Sequence, residues 1–233
     1  LEERFGSVSE LNTYPMAVTS AGAILSYVKD TQFSDLPHLR PPSLLVKAKT
    51  MTLDAVTLRN LEIVKTIGDS SKDTLFAVLN KTSTAGGSRK LKDWLLRPLH
   101  DLDKLNQRHD AVQELFDNTL SRREIKDILK GFQDVERLLS RLGHGSISPR
   151  DLDSLKTSLN TLKDLKQFLS EEPLKSKLMK LLVKSIDVHK QVSEKLEEAL
   201  VEEPPLVLRD GGIFKKGYSE ELDDLRSRAS SGR

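Results

Sequence analysis

Leucine recurs with helical spacing through most of the second half of the chain. From Ser148 onward, Leu152, Leu155, Leu159, Leu162, Leu165 and Leu169 fall three or four residues apart, which lines them along one face of a helix. From Pro173 the series Leu174, Leu178, Leu181, Ile186, Val192, Leu196 and Leu200 extends the pattern to Val201 and predicts one unbroken rod of roughly 40 Å. Both read as packing seams. Rods of this kind suit the transmission of position between distant parts better than the building of a reaction pocket.

The earlier pattern is more broken. Ala17 to Thr31, with Pro15 near its start, predicts a helix whose apolar side carries Val18, Ala21, Ile24, Leu25 and Val28. Pro37, Pro41 and Pro42 interrupt it, and Ser43 to Leu53 reads as extended. This divides the chain into residues 1–36 and 37–233. Asp54 is placed to cap a short helix through Leu61, and Thr74 to Leu79 predicts another. Gly86 and Gly87 read as a turn before a helix from Ser88 to Leu96, closed by Pro98. Asp101 or Asp103 opens a helix with Leu105, Val112, Leu115 and Phe116 inward. Ser121 starts the next, with Gly131 as a kink, and Phe132, Val135, Leu138, Leu139 and Leu142 continue its apolar face to Gly143 and Gly145. Ser148, Pro149 and Asp151 supply an N-cap, a proline at the first helical position and an acid two residues later. Pro204 and Pro205 stop the rod. Leu206 to Leu208 and Ile213 to Phe214 read as two short strands around Asp210, Gly211 and Gly212, and a last helix begins near Ser219. The fold class is mainly α: a multi-helix core with long helices and short extended segments near 43–53 and 206–214.

Composition narrows the chemistry. Hydrophobic residues make up 37% of the 233 and aromatics 5%, which fits a leucine-cored helical protein rather than a β-sandwich or a disordered tail. With a formal net charge of +2, any nucleic-acid contact must be local. The absence of cysteine removes disulfides and thiolate metal sites. His38, His100, His109, His144 and His189 lack metal-ligand spacing and read as surface or packing residues. The basic run Arg122, Arg123, Lys126 and Lys130 is interleaved with Glu124, Asp127 and Asp134, so ordinary pairing along a helix outweighs phosphate contact. Trp94, on an apolar face with Leu91 and Leu95, reads as a core anchor. Acidic pairs such as Glu171 with Glu172 read as caps and solvated faces rather than a catalytic dyad. No apolar run approaches a membrane span.

Several ordered motifs carry a resemblance that composition does not supply. Met51 to Glu62, with Asp54, Arg59, Asn60 and Glu62, resembles the segment that opens the core domain of the MutS family of mismatch-repair proteins. Thr84, Gly87, Ser88, Arg89, Leu91, Lys92, Trp94, Leu95, Pro98 and Leu99 resemble the family's Gly-Ser-Arg helix, and Arg108 to Val112 its next helix. Asp134, Val135, Glu136, Arg137 and Leu138 follow in order, then Pro149 to Leu152. Leu208, Arg209, Asp210, Gly211 and Gly212, with Gly217 to Asp223, resemble the segment leading to the clamp. Ala21 to Gln32 resembles the helix ending the connector domain. The resemblance covers essentially the whole chain.

That resemblance implies a non-catalytic connector-end and core/lever fragment, residues 1–36 and 37–233, cut before the clamp. In the family this part couples mismatched duplex DNA held at the clamp to a distant ATPase. ATP and Mg are implied as cofactors of the parent and none for this fragment. The implied partners are the parent's own clamp and ATPase domains, a second subunit in a homodimer, and a repair protein of the MutL type, in the bacterial or archaeal cytoplasm at the nucleoid. No GxxxxGK[ST] phosphate loop and no Phe-x-Glu wedge is present in the sequence. The charged motif residues Asp54, Arg59, Glu62, Arg89, Asp134, Glu136 and Arg137 are expected to form ion pairs that fix how short helices dock on the levers. The seam along Leu178, Leu182, Val192 and Leu196 is expected to lack part of its natural partner and to favour self-association. Two other readings stand beside this one: a related core acting on recombination or branched DNA, against which the connector-like helix speaks, and a free-standing adaptor binding partner helices.

Overall fold

The computed structural model describes residues 13–32 and 50–231. Their regular structure is helical, and β pairing among them is confined to two isolated antiparallel bridges, Thr50 with Leu99 and Leu200 with Phe214. The chain divides into two compact units, Leu1–Lys49 and Thr50–Arg233. In the first, helix α1 (Pro15–Gln32) begins at the expected proline, whose fixed φ suits a first helical turn. The boundary placed between residues 36 and 37, and most of the extended segment from Ser43, lie outside the described residues.

The second unit opens with three short helices, α2 (Ala55–Asn60), α3 (Leu75–Leu79) and α4 (Ala85–Leu96). Each is started by a side-chain cap that satisfies an otherwise free N–H of the first turn. Asp54 accepts from Thr57 N at 2.6 Å, Thr74 from Ala77 N at 3.2 Å and Thr84 from Gly87 N at 3.0 Å. Gly86 and Gly87 are therefore not a turn before the helix but its first turn. At Gly87 a Cβ would sit 3.0 Å from the capping Thr84 oxygen, so the missing side chain lets the cap close.

The body of the unit is built from α5 (Leu102–Asp117), α6 (Thr119–Leu129), α7 (Val135–Gly143) and α8 (Pro149–Glu171). Asp101 rather than Asp103 caps α5. Ser121 does not start α6; Asn118 does, accepting from Ser121 N at 3.1 Å, while the buried Ser121 hydroxyl donates to Glu172. In α5 it is Ala111 that is buried; Val112 and Phe116, expected inward, are exposed. Gly145 ends α7 in the left-handed region, φ +65°, with its own N–H on Leu142 O and that of Ser146 on Arg141 O.

The signal at Ser148 is fully realised as a reciprocal capping box with Asp151 and a proline at the start. The resulting α8 has 23 residues, a length of about 34 Å. Its leucine stripe serves two separate apolar clusters. Leu155 and Leu159 pack with Leu138 of α7, while Leu169 packs with Ala111 of α5 and Met179.

The second rod is not continuous. It breaks into α9 (Lys177–Ser185) and α10 (Lys190–Ala199), with His189 in the left-handed region at φ +45°. The sequence Ile186-Asp187-Val188 places two β-branched residues around an aspartate whose carboxylate accepts His189 N at 2.9 Å, a local bond that competes with the helical ladder. Lys166 of α8 reaches across to Ile186 O at 2.6 Å and satisfies a carbonyl freed by the break. The consequence is geometric: Met179 joins the Leu169 cluster, whereas Leu196 joins the Leu138 cluster. Of the seam expected to be uncovered, Leu178 and Leu196 are packed, and Leu182 and Val192 are half exposed.

The two short strands expected between Leu206 and Phe214 do not form. Leu208–Asp210 is a 3-10 turn, followed by Gly211 and Gly212 at φ +68° and +67°. Phe214 pairs instead with Leu200 at the end of α10, through Val201 N to Ile213 O at 3.0 Å and Lys215 N to Ala199 O at 2.8 Å. Leu200 is 1% exposed, so its burial outweighs a local hairpin. Helix α11 (Glu220–Ser231) follows.

Candidate functional site

Three of the motif charges meet where α4 faces the start of α7. Arg89 donates to both carboxylate oxygens of Asp134, at 2.7 and 3.1 Å, and its Nε lies 2.7 Å from Glu136. Asp134 is also the N-cap of α7, accepting from Arg137 N at 3.4 Å. One carboxylate thus serves the positive end of a helix and a guanidinium fork together. The hydrogen bond from Arg89, with the backbone N–H of Arg137, holds the Asp134 carboxyl below the usual carboxylate range despite partial burial, and Asp134 raises Arg89. Arg89 is 46% and Asp134 25% exposed, so solvent screening keeps the pair within the range of a surface bridge. It orients more than it stabilises.

The other motif charges do not join this clamp. Asp54 caps α2, and Glu62 takes φ +48° while its carboxylate accepts Ile67 N at 2.8 Å. Arg59 and Asn60 end α2. Arg137 enters through its backbone N–H. Ser88 accepts from Asn80 Nδ2 at 3.0 Å, tying α4 to the preceding loop. Arg209 and Asp210 are a loose neighbouring pair, 3.9 Å apart, in the turn closed by Gly211. Trp94 is not the buried anchor expected. It is 37% exposed, and the Arg108 guanidinium stacks 3.8 Å from its ring centroid, so the indole covers a cation on the surface of α4 and α5.

Other contacts escaped the sequence because they need the packed fold. Arg141 clamps Asp151 at 2.8 and 2.9 Å, adding an ion pair to the capping box of α8. Ser148 N–H bonding, helped by Arg141, holds the Asp151 carboxyl below the usual range. Glu114 of α5 accepts Lys175 N and Ser176 N, the latter at 2.9 Å, at the entry to α9. Burial opposes its charge, but those donors outweigh it and its carboxyl lies low. Ser158, fully buried on α8, accepts Gln133 N at 3.1 Å, and a Cβ on Gly131 would lie 2.7 Å from Thr161 Oγ1. The connection between α6 and α7 is therefore seated directly on α8. Its signals, a glycine and a mid-helix serine, are each ambiguous alone.

No group of three potential metal-ligating side chains exists among the described residues, and no helix there is long and apolar enough to cross a membrane. In the basic run of α6 the expected pairing is partial: Lys130 pairs with Asp127 at 2.5 Å, whereas Asp134 is taken by Arg89.

Comparison with known proteins agrees with these motifs. The family model for MutS domain III matches residues 56–231. A protein of Methanosarcina acetivorans named DNA mismatch repair protein MutS is 41% identical over 220 residues, covering 93% of this chain and 24% of that protein. Proteins of the same name from Pelotomaculum thermopropionicum and Halothermothrix orenii are each 40% identical, covering 100% and 94% of this chain and 27% and 24% of their own lengths. The chain thus spans about a quarter of the length of these relatives, and it belongs to the MutS family as a domain III core.

Proposed function

We propose that this chain is the non-catalytic core and lever of a DNA mismatch-repair protein, coupling mismatched duplex DNA held at a clamp to a distant Mg-dependent ATPase in the dimeric parent. The observation that supports it best is α8, a single helix of about 34 Å whose opposite ends hold two separate apolar clusters. A displacement of the α7 and α10 end is carried rigidly to the α5 and α9 end, because packed cores move as units rather than deform. Arg89 and Arg141 fix both the helix that leans on α8 and the start of α8 itself.

In this reading ATP, Mg, the second subunit and a MutL-type partner belong to other parts of the parent, which acts at the bacterial or archaeal nucleoid. A role on recombination or branched DNA is less well supported, since the relatives carry the mismatch-repair name and one of them aligns with the whole chain, connector-like helix included. The test uses the purified chain. Phosphate release from ATP should not exceed the buffer blank, and labelled matched and mismatched duplexes should bind weakly and equally. Turnover abolished by a substitution in this chain, or tight binding that selects the mismatch, would overturn the assignment.

A further inference from the structure

A groove between the Asn80–Ser83 connection and α6 gathers Lys81, Arg122, Arg123 and Lys126, and no carboxylate lines it. This is a local excess of four positive charges on a chain whose net charge is only +2. Lys81, Arg123 and Lys126 form no ion pair or side-chain hydrogen bond among the described residues; Asp127, which feels Lys126 and Arg123 at longer range, is bonded by Lys130. Arg122 is anchored: its guanidinium donates to Leu115 O and Phe116 O at 2.6 and 2.8 Å, where it caps the end of α5 and remains exposed at the rim. Ser83 and Thr119 line the same groove, and the Thr119 hydroxyl accepts from Arg122 at 3.3 Å.

We propose that this groove is a seat for the phosphodiester backbone of duplex DNA, a contact that rests on the parent being a DNA-binding repair protein. Three cations without an ion pair share one concavity with Ser83 and Thr119, a set that suits the anionic phosphates of a duplex backbone. Its apolar lining, Ile125 and Leu129, offers neither an aromatic stacking platform nor groups to read a base edge, so the contact is blind to sequence and to mismatches. Its contribution is electrostatic: it holds the path of the duplex past the lever without selecting it.

The triple variant Lys81→Glu, Arg123→Glu and Lys126→Glu tests this against a control of equal charge change at exposed lysines elsewhere, Lys92→Glu, Lys163→Glu and Lys177→Glu. Binding of the chain to a short labelled duplex is titrated between about 50 and 200 mM salt, where each lost phosphate contact lowers the salt slope by about 0.9. The groove variant should lose at least about 10-fold in affinity at the low-salt end and about 2.7 in slope, with its thermal midpoint unchanged and the control close to the parent. Equal losses in both variants would show a net-charge effect and overturn the groove. So would a groove-dependent complex with polyglutamate that DNA fails to displace, which would mark an acidic protein partner. Either failure leaves the proposed function standing, since that is tested by phosphate release and by the comparison of matched with mismatched duplexes, neither of which depends on the groove.

Discussion

The segment from Asp54 to Leu99 and the bundle built on α8 keep their shape by different means. In the first, burial is confined to Ile63 and Thr74, and three of the four described non-glycine residues with positive φ, Glu62, Asp69 and Asp73, fall within it. Caps, backbone bonds such as Phe76 N to Ile63 O at 2.9 Å, and the Arg89 clamp define it. In the second, two leucine clusters share one long helix, and polar groups serve mainly at its ends. The difference separates a segment specified by directional bonds, which cost little to rearrange, from a bundle specified by packing.

The largest expected effect lies in the bundle. Leu159→Ala, at 8% exposure, should cost about 2–5 kcal/mol in denaturant unfolding. A change well under 1 kcal/mol would show that the α7 and α10 cluster is not part of the cooperative core. Asp134→Ala removes a helix cap and the Arg89 clamp together and should cost about 1–2 kcal/mol. Asp134→Asn, which preserves capping capacity, should recover part of that loss; if it does not, the cap contributes little.

Trp94→Ala should cost about 1–2 kcal/mol, less than the loss of a core tryptophan, because the ring is partly exposed and the Arg108 guanidinium stacks on it. As Trp94 is the sole tryptophan, Arg108→Ala should change its fluorescence without unfolding the chain. Unaltered emission would remove the stacked pair from solution.

The smallest effect is on pH dependence. The Asp134 carboxyl lies below its ordinary 3.8, so the stability it contributes is complete above that value and is lost as pH falls through the depressed one. The stability gap between the parent chain and Arg89→Ala should therefore be constant near neutrality and close in acid below about pH 4. A gap that widens in acid would mean that Asp134 is not the carboxylate Arg89 stabilises.

Local chemistry made much of this legible in advance. Ser148, Pro149 and Asp151 declare the start of α8 because cap, proline and acid satisfy the same free N–H groups, and the leucine spacing then forecasts its buried face. The same spacing missed the break at Ile186–His189, since apolar periodicity runs on across a turn stabilised by one aspartate and by Lys166 from another helix. Phe214 likewise left its local hairpin for Leu200, a long-range choice invisible to a window of neighbours. At the candidate site, residue types foretold ion pairing, but only the fold decides that Arg89 takes Asp134 and Glu136 while Asp54 and Glu62 bond their own backbone.

The coupling role is tested most directly at Gly131, where an added Cβ would lie 2.7 Å from Thr161 Oγ1 and wedge the α6–α7 connection away from α8. In the full-length parent, Gly131→Ala should retain basal ATP turnover while the stimulation by mismatched duplex falls several-fold. Stimulation equal to that of the unmodified protein, in a variant whose lowered thermal midpoint shows that the wedge has been felt, would contradict the account of α8 as the member that carries the signal.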